Sequence, residues 1–178
     1  MTAEEFLTTA IAKKGLCELV RGQVRESKYE TALHGMVCAN VACQLSNWSR
    51  RCRNGITIGN NPGIITERNP DTVRGPDLLW YRPLREPGLN EMDGWLETPP
   101  VLCVEVLSPS DQWGDVLRKV AEYLKSGVEE VWILVLSGHR LHRYFQEAAP
   151  QVLEIDDTLT SSCLPGFSAP VGEFFAGC

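Results

Sequence analysis

The chain has 178 residues, 43% hydrophobic and 22% charged, with a formal net charge of −6. That length suits one domain with a real core, spanning 1–178, and the ordinary composition argues against a disordered or low-complexity protein. The acidic balance counts against a protein that coats nucleic acid through a basic face, without excluding a nuclease whose site carries carboxylates. The opening MTAEEFLTTA lacks a signal peptide's basic start and long apolar run, and no stretch is apolar enough to span a membrane. Seven cysteines, an odd number without CxxC or zinc-type spacing, predict reduced core thiols and a cytoplasmic protein.

In chain order, Thr2 caps a short helix expected through Phe6 to Lys13. Cys17–Val20 and Gln23–Glu26 predict a hairpin around Arg21-Gly22, with Glu18 in its first strand. An edge-strand acid facing water accounts for Glu18 as well as any site role. A long helix is expected from Thr31 to Arg53, with Leu33, Val37, Val41, Leu45 and Trp48 as its inner face. His34, near its start, reads most simply as a hydrogen-bonded structural group. Arg50, Arg51 and Arg53 suit the negative end of the helix dipole, and Asn54-Gly55 ends the helix.

Ile56–Ile58 and Ile64–Thr66 are short strands, and Thr72–Tyr81 is an extended run carrying Asp77. Arg82–Pro100, rich in Pro, Gly and acids, predicts a mobile surface loop. Val101–Leu107 is then apolar except for Glu105. A helix follows, capped by Ser110 or Asp111 and stopped by Gly127, with Trp113, Val116, Leu117, Val120, Ala121 and Leu124 as its buried stripe. Strands are expected at Glu130–Leu136, Leu141–Phe145 and Val152–Ile155, and a last helical turn at Val171–Ala176. His139 and His142 read as surface residues. Without a Gly-rich phosphate loop, G-x-S-x-G or H-E-x-x-H, a nucleotide cofactor, serine hydrolysis and zincin chemistry are set aside.

Two acids stand out. A buried, unpaired Glu105 would cost several kcal/mol, so it requires a cation, a hydrogen-bond donor or a metal. Asp77 opens the neighbouring apolar run Leu78–Tyr81. If the two strands pair, carboxylates about 4 Å apart repel by about 4 kcal/mol at an effective dielectric near 20, unless a divalent cation sits between them. Lys119 lies beside the buried stripe of the next helix and can present its ammonium at an edge. An ion pair with Asp115, four residues earlier, explains the same lysine without any chemistry. Hard oxygen donors favour Mg²⁺ or Mn²⁺, and no histidine–cysteine cluster at metal spacing argues for zinc.

The segments VRGPDLLWY, PPVLCVEVLSPSD, DVLRKVAEYLKSGVEEVWIL and LPGF, in that order, resemble the Uma-two family of endonucleases. That family is a branch of the restriction-endonuclease-like PD-(D/E)XK superfamily, and the resemblance runs from Glu18 nearly to the end. It implies an α/β fold with a restriction-endonuclease-like core: a curved mixed β-sheet flanked by helices, with an N-terminal hairpin. Pro76-Asp77 corresponds to the "PD" and Glu105 to the "(D/E)". Leu107 stands at the usual lysine position, and the resemblance moves that role to Lys119. It further implies Mg²⁺ or Mn²⁺ on Asp77, Glu105 and the Val106 carbonyl, with Glu18 and His34 lining the site. The implied activity is metal-dependent endonuclease hydrolysis of DNA phosphodiesters, by a homodimer whose two sites would suit a duplex. The rival account is a non-catalytic dimerising or binding module on the same scaffold, favoured by the acidic charge and the displaced lysine. An RNase or small-substrate phosphodiesterase is a third.

Overall fold

The structure is a computed structural model that describes residues 1–9, 12, 17–26, 30–109 and 111–178. Its first helix, α1 (Ala3–Leu7), is built by a capping box: Thr2 accepts from Glu5 N–H while the Glu5 carboxylate accepts from Thr2 N–H. Helix beyond Leu7 was expected as far as Lys13, but residues 10, 11 and 13 lie outside the described set. The hairpin β1 (Cys17–Val20) and β2 (Gln23–Glu26) forms as expected, turning on Arg21-Gly22.

Helix α2 (Ala32–Cys52) takes Thr31 as its N-cap and ends at Arg53 in the left-handed region. It buries Val37, Val41, Leu45 and Trp48, but His34 replaces Leu33 on the inner face, and Leu33 is exposed. Strands β3 (Ile56–Gly59), β4 (Ile64–Glu67), β5 (Thr72–Arg74) and β6 (Leu78–Tyr81) follow. Gly55 turns the chain into β3 at φ +74°, where any β-carbon would collide with the Tyr81 carbonyl oxygen. The expected single run 72–81 is two strands in two sheets, broken at Gly75-Pro76-Asp77. Proline has no N–H for a ladder, and the break leaves Asp77 free to turn its side chain toward the next strand.

Residues 82–100 hold a short helix, α3 (Leu89–Met92), and are tied to the body. Trp95 Nε1 donates to Ala3 O (2.8 Å), Leu96 N to Gly63 O (2.8 Å), and Arg82 and Arg85 both pair with Glu129. The prolines and acids that suggest a mobile loop therefore stand in an anchored strap. Next come β7 (Leu102–Leu107), α4 (Trp113–Ser126), β8 (Glu130–Val135) and β9 (Arg140–Phe145). The chain finishes with β10 (Gln151–Leu153), β11 (Thr158–Thr160), β12 (Ser168–Pro170) and a 3₁₀ turn at Val171–Phe175.

The main sheet runs β10-β9-β8-β7-β6-β3, and β7–β8 is its parallel pair, joined by the crossover helix α4. A second sheet runs β2-β1-β5-β4, and β11 and β12 pair separately. One face of the main sheet packs Leu78, Trp80, Val104 and Trp132 against α2 and the C-terminal Phe167 and Phe174. The other packs Leu79, Tyr81, Cys103 and Ile133 against Val116, Val120 and Tyr123 of α4. Alternate residues of β6, β7 and β8 thus fill two cores, which is why these strands read as continuous apolar runs.

Helix α4 departs from its predicted stripe. Gln112 is the N-cap, without a side-chain cap bond, and Asp111 instead accepts from the N–H of Ser108; Ser110 lies outside the described residues. Trp113, Leu117 and Ala121 are exposed, and Tyr123 is buried in their place. The helix meets the sheet along Val116, Val120 and Tyr123, a narrower strip than its apolar residues cover. Gly127 caps it at φ +108°, as its position suggested. All seven cysteines are free, but only Cys103 is buried, and Cys43, Cys52 and Cys178 are exposed, so the core-thiol expectation fails for most. His139 and His142 are half-buried against the rings of Phe175 and Trp113.

The N-terminal helix is fastened by Asp71. Its Oδ2 accepts from Ala3 N (2.8 Å) and Arg68 Nη1 (3.1 Å), and Oδ1 accepts from Asn69 N (3.2 Å). The Ala3 bond, followed by those from Asn69 and Arg68, holds the carboxyl below its usual range. A carboxyl depressed in the folded state adds stability above its unfolded pKa of about 3.9, and that stability is lost as pH falls through the folded value. Asp71→Ala is expected to cost about 1–3 kcal/mol at neutral pH, by leaving the buried Ala3 N–H unpaired, and to abolish the acid-side loss. Urea denaturation of both proteins at pH 7 and near the acid limb checks this; equal midpoints at neutral pH would contradict it.

Candidate active site

The site is built where β6 begins and β7 ends. The antiparallel register pairs Leu78 with Val104, so Asp77 falls beside Glu105 one step further on. Asp77 Oδ2 accepts from the Val106 backbone N–H at 2.7 Å. A strand residue's N–H and C=O point to the same side, so the Val106 carbonyl also faces the Asp77 side of β7. From α2, His34 Nε2 stands 3.2 Å from the same Asp77 oxygen.

Glu105 alternates with Val104 and Val106 and turns to the α4 face. There Tyr123 Oη donates to its Oε1 at 2.6 Å, and Lys119 Nζ lies 3.2 and 3.3 Å from its two oxygens. Lys119 and Tyr123 are one helical turn apart and so meet the same carboxylate. Burial pushes the Glu105 pKa well above the ordinary carboxylate range; the negative charges of Asp77 and Glu18 push the same way, against Lys119. This carboxylate is short of positive charge even with an ammonium beside it.

The same ammonium reaches Glu18 Oε1 at 3.0 Å. Glu18 Oε2 accepts from Arg74 Nη1 (2.7 Å), and Oε1 also accepts from Gly75 N (3.2 Å). Arg74 in turn grips Glu122 through Nε (2.6 Å) and Nη2 (3.0 Å). Burial would raise the Glu18 pKa, but Lys119 and Arg74 outweigh it and the net shift is downward. Burial would likewise lower that of Lys119, but Glu105 and Glu18 drive it up and keep it charged. The result is a row of alternating charge, Glu122–Arg74–Glu18–Lys119–Glu105, fixed across β1, β5, β7 and α4.

Asp115 does not hold Lys119. Its contact is with Arg118, and both side chains are solvent-exposed. His34 also contacts Cys38, with Sγ 3.6 Å from Nδ1. Burial would lower the His34 pKa, but its hydrogen bond to Asp77, aided by Cys38, raises it. Beside this pair, α2 and the β3–β4 turn enclose a cleft of about 360 Å³ lined by Glu30, His34, Cys38, Asn60, Asn61 and Asp77, among others. One donor atom from each of His34, Cys38 and Asp77 lies within 4.8 Å of the other two, so a histidine–cysteine cluster does exist here, contrary to the sequence expectation.

Residues 3–172 match the Uma2 family, described as "Putative restriction endonuclease". The chain belongs to the Uma2 family. A crystal structure of a putative nuclease of DUF820 from Anabaena variabilis ATCC 29413 superposes with a TM-score of 0.81 at 16% identity, covering 98% of this chain and 97% of that one. The Uma2 chain thus has the α/β restriction-endonuclease-like fold, with mixed sheet and flanking helices. No curated protein matches it.

Of the predicted site side chains, His34 meets Asp77, and Lys119 meets both Glu105 and Glu18; Asp77 reaches the Glu105 strand through the Val106 N–H. Sequence reasoning missed Arg74, Glu122, Tyr123 and Cys38. Arg74 is the one cation in the VRGPDLLWY segment, Glu122 and Tyr123 lie three and four positions after Lys119, and Cys38 lies four after His34. Those helical spacings were the available signal.

Proposed function

We propose that this Uma2 protein hydrolyses DNA phosphodiester bonds with a divalent cation held by Asp77, Glu105 and the Val106 carbonyl. Family and fold point to nuclease function in general; the cation and DNA are the finer part of the proposal. The observation that carries it is the β6–β7 pairing, which sets Asp77 and Glu105 one step beyond Leu78 and Val104, with Asp77 on the Val106 N–H and Lys119 on Glu105. The donor set fits a hard ion such as Mg²⁺ or Mn²⁺, because it is oxygen only, and buried Glu105 lacks compensating charge. When bound, such an ion polarises the phosphate and lowers the pKa of a water.

The chain's own residues do the rest. Asp77 is oriented by Val106 N–H and His34, so one carboxylate oxygen is committed to the protein and the other is available to the ion. Tyr123 fixes the Glu105 carboxylate. Lys119, kept cationic between Glu105 and Glu18, offsets the charge that builds on the phosphate oxygens or orients the attacking water. Glu18 positions the ammonium and Arg74 positions Glu18.

Calorimetry of Mg²⁺ or Mn²⁺ binding tests the proposal. Wild type is expected to bind at millimolar concentration or tighter, and Asp77→Ala to lose that binding. If wild type binds neither ion, the cation scheme fails and the binding-module account, with Glu105 satisfied by Lys119 and Tyr123 alone, takes its place.

A further inference from the structure

We propose that Arg25, on the outer strand of the N-terminal hairpin, binds a backbone phosphate of the DNA flanking the one being cut. This role rests on the proposed nuclease site and adds to it a residue that grips the substrate. Strand register places Arg25. It stands opposite Glu18 across β1–β2, and Leu19 stands opposite Val73 across β1–β5, which sets Arg74 opposite Glu18. Directly opposed residues share a face of the sheet, so Arg25, Glu18 and Arg74 form one cross-strand row. The alternate residues Leu19, Val24, Val73 and Ile65 take the other face and pack with Ala3 and Phe6 of α1. The second sheet therefore turns its charged row to the active site, where Glu18 meets Lys119. Arg25 lies one strand spacing, about 4.8 Å, beyond Glu18 on the side of β1 away from Arg74.

Charge singles out Arg25 within that row. Arg74 is shared by Glu18 and Glu122, and Lys119 by Glu18 and Glu105, so neither has charge to spare for an incoming polyanion. Arg25 is exposed, and among the described residues no carboxylate pairs with it. Its Nη2 donates to Gln23 Oε1 at 3.2 Å, two residues along the same face of β2. That contact steadies the guanidinium and leaves its other N–H groups for a ligand. Cations elsewhere are mostly neutralised: Arg68, Arg82, Arg85, Arg118, Lys125 and Arg140 each pair with an acid. A planar guanidinium matches two phosphate oxygens at once. In a chain of net charge −6, it offers the DNA backbone an attraction that the surrounding acids do not.

Anisotropy of a short fluorescein-labelled DNA duplex, in chelator and again in Ca²⁺, across a range of salt concentrations, tests the contact. Each phosphate contact releases counterions and contributes about −0.9 to the slope of log affinity against log salt. Arg25→Gln is expected to bind roughly tenfold more weakly at about 0.1 M salt, with a slope shallower by about 0.9. Arg25→Lys keeps the charge and is expected to keep the slope. Arg51→Gln is the control: Arg51 is exposed and without an acid partner among the described residues, but lies about 25 Å along α2 from His34. It is expected to match wild type in affinity and slope. All three variants should melt with wild type, since both positions are exposed. Wild-type affinity and slope in Arg25→Gln would overturn the contact. So would an equal loss in Arg51→Gln, which marks net charge alone, or a wild type that binds the duplex in neither condition. Plasmid nicking separates the two proposals. If nicking persists while Arg25→Gln binds normally, only this contact falls; if wild type does not cut but Arg25→Gln shows the loss, only the hydrolytic proposal does.

Discussion

Lys119→Met is expected to lower cleavage by about 10²–10³-fold while Asp77 and Glu105 still bind the divalent ion. The methionine keeps the apolar stem and removes only the charge. A preorganised group facing charge that develops in the transition state is typically worth about 3–4 kcal/mol, which sets that range. Stability should fall as well, because Glu18 and Glu105 would face each other without the ammonium between them. Breaking a buried pair from one side costs about 3–5 kcal/mol, and the 24% exposure of the Lys119 side chain places this case at the low end. Added Mg²⁺ should then raise the melting temperature more in the variant than in wild type, since the ion supplies the missing charge. Asp115→Asn is the control: its partner is Arg118 and both are exposed, so rate and stability should be nearly unchanged. Lys125 cannot substitute, because it is exposed and pairs with Glu67. A Lys119→Met protein that cuts at the wild-type rate would remove the lysine from the mechanism.

The largest loss of stability is expected at Arg74, which makes three hydrogen bonds to two carboxylates. In Arg74→Met, Glu18 and Glu122 keep their buried or half-buried positions and lose their common cation. The expected cost is about 3–5 kcal/mol. At roughly 2–4 °C per kcal/mol for a chain of this size, the melting temperature drops by about 10 °C. Arg74→Lys should recover only part of it, because an ammonium cannot make the two-pronged contact with Glu122. Thermal and urea unfolding of the three proteins measure this, and a loss under about 1 kcal/mol in Arg74→Met would show that β5 and α4 are held by packing alone.

Asp77 and Glu105 were legible because each interrupts or opens an apolar strand, where an acid is costly. The strands themselves, the long helix and the β7–α4–β8 crossover were legible from apolar periodicity and from Gly127. Lys119 was harder: helical spacing offers Asp115 as its partner, and only the packing angle of α4 turns the lysine toward Glu105 on β7. That same angle exposes Trp113 and Leu117, which periodicity had placed inside. Arg74 and Glu18 were illegible as a pair, because they stand on neighbouring strands of a second sheet, which the chain leaves for the first at Gly75-Pro76. The break there depends on where the chain changes sheets, and a continuous extended run does not record that. Cys38 escaped notice because it joins the site only through His34, whose other partner, Asp77, arrives from a distant segment.

The central claim is that Asp77 and Glu105 hold a cation for phosphodiester hydrolysis. Nicking of supercoiled plasmid DNA, by wild type and Glu105→Gln in Mg²⁺ or Mn²⁺, tests it most directly. The account predicts that wild type nicks only with the divalent ion, stops when a chelator is added, and loses activity by orders of magnitude in Glu105→Gln. Nicking that persists in chelator or in Glu105→Gln, or a wild type that cuts with neither ion, would contradict it.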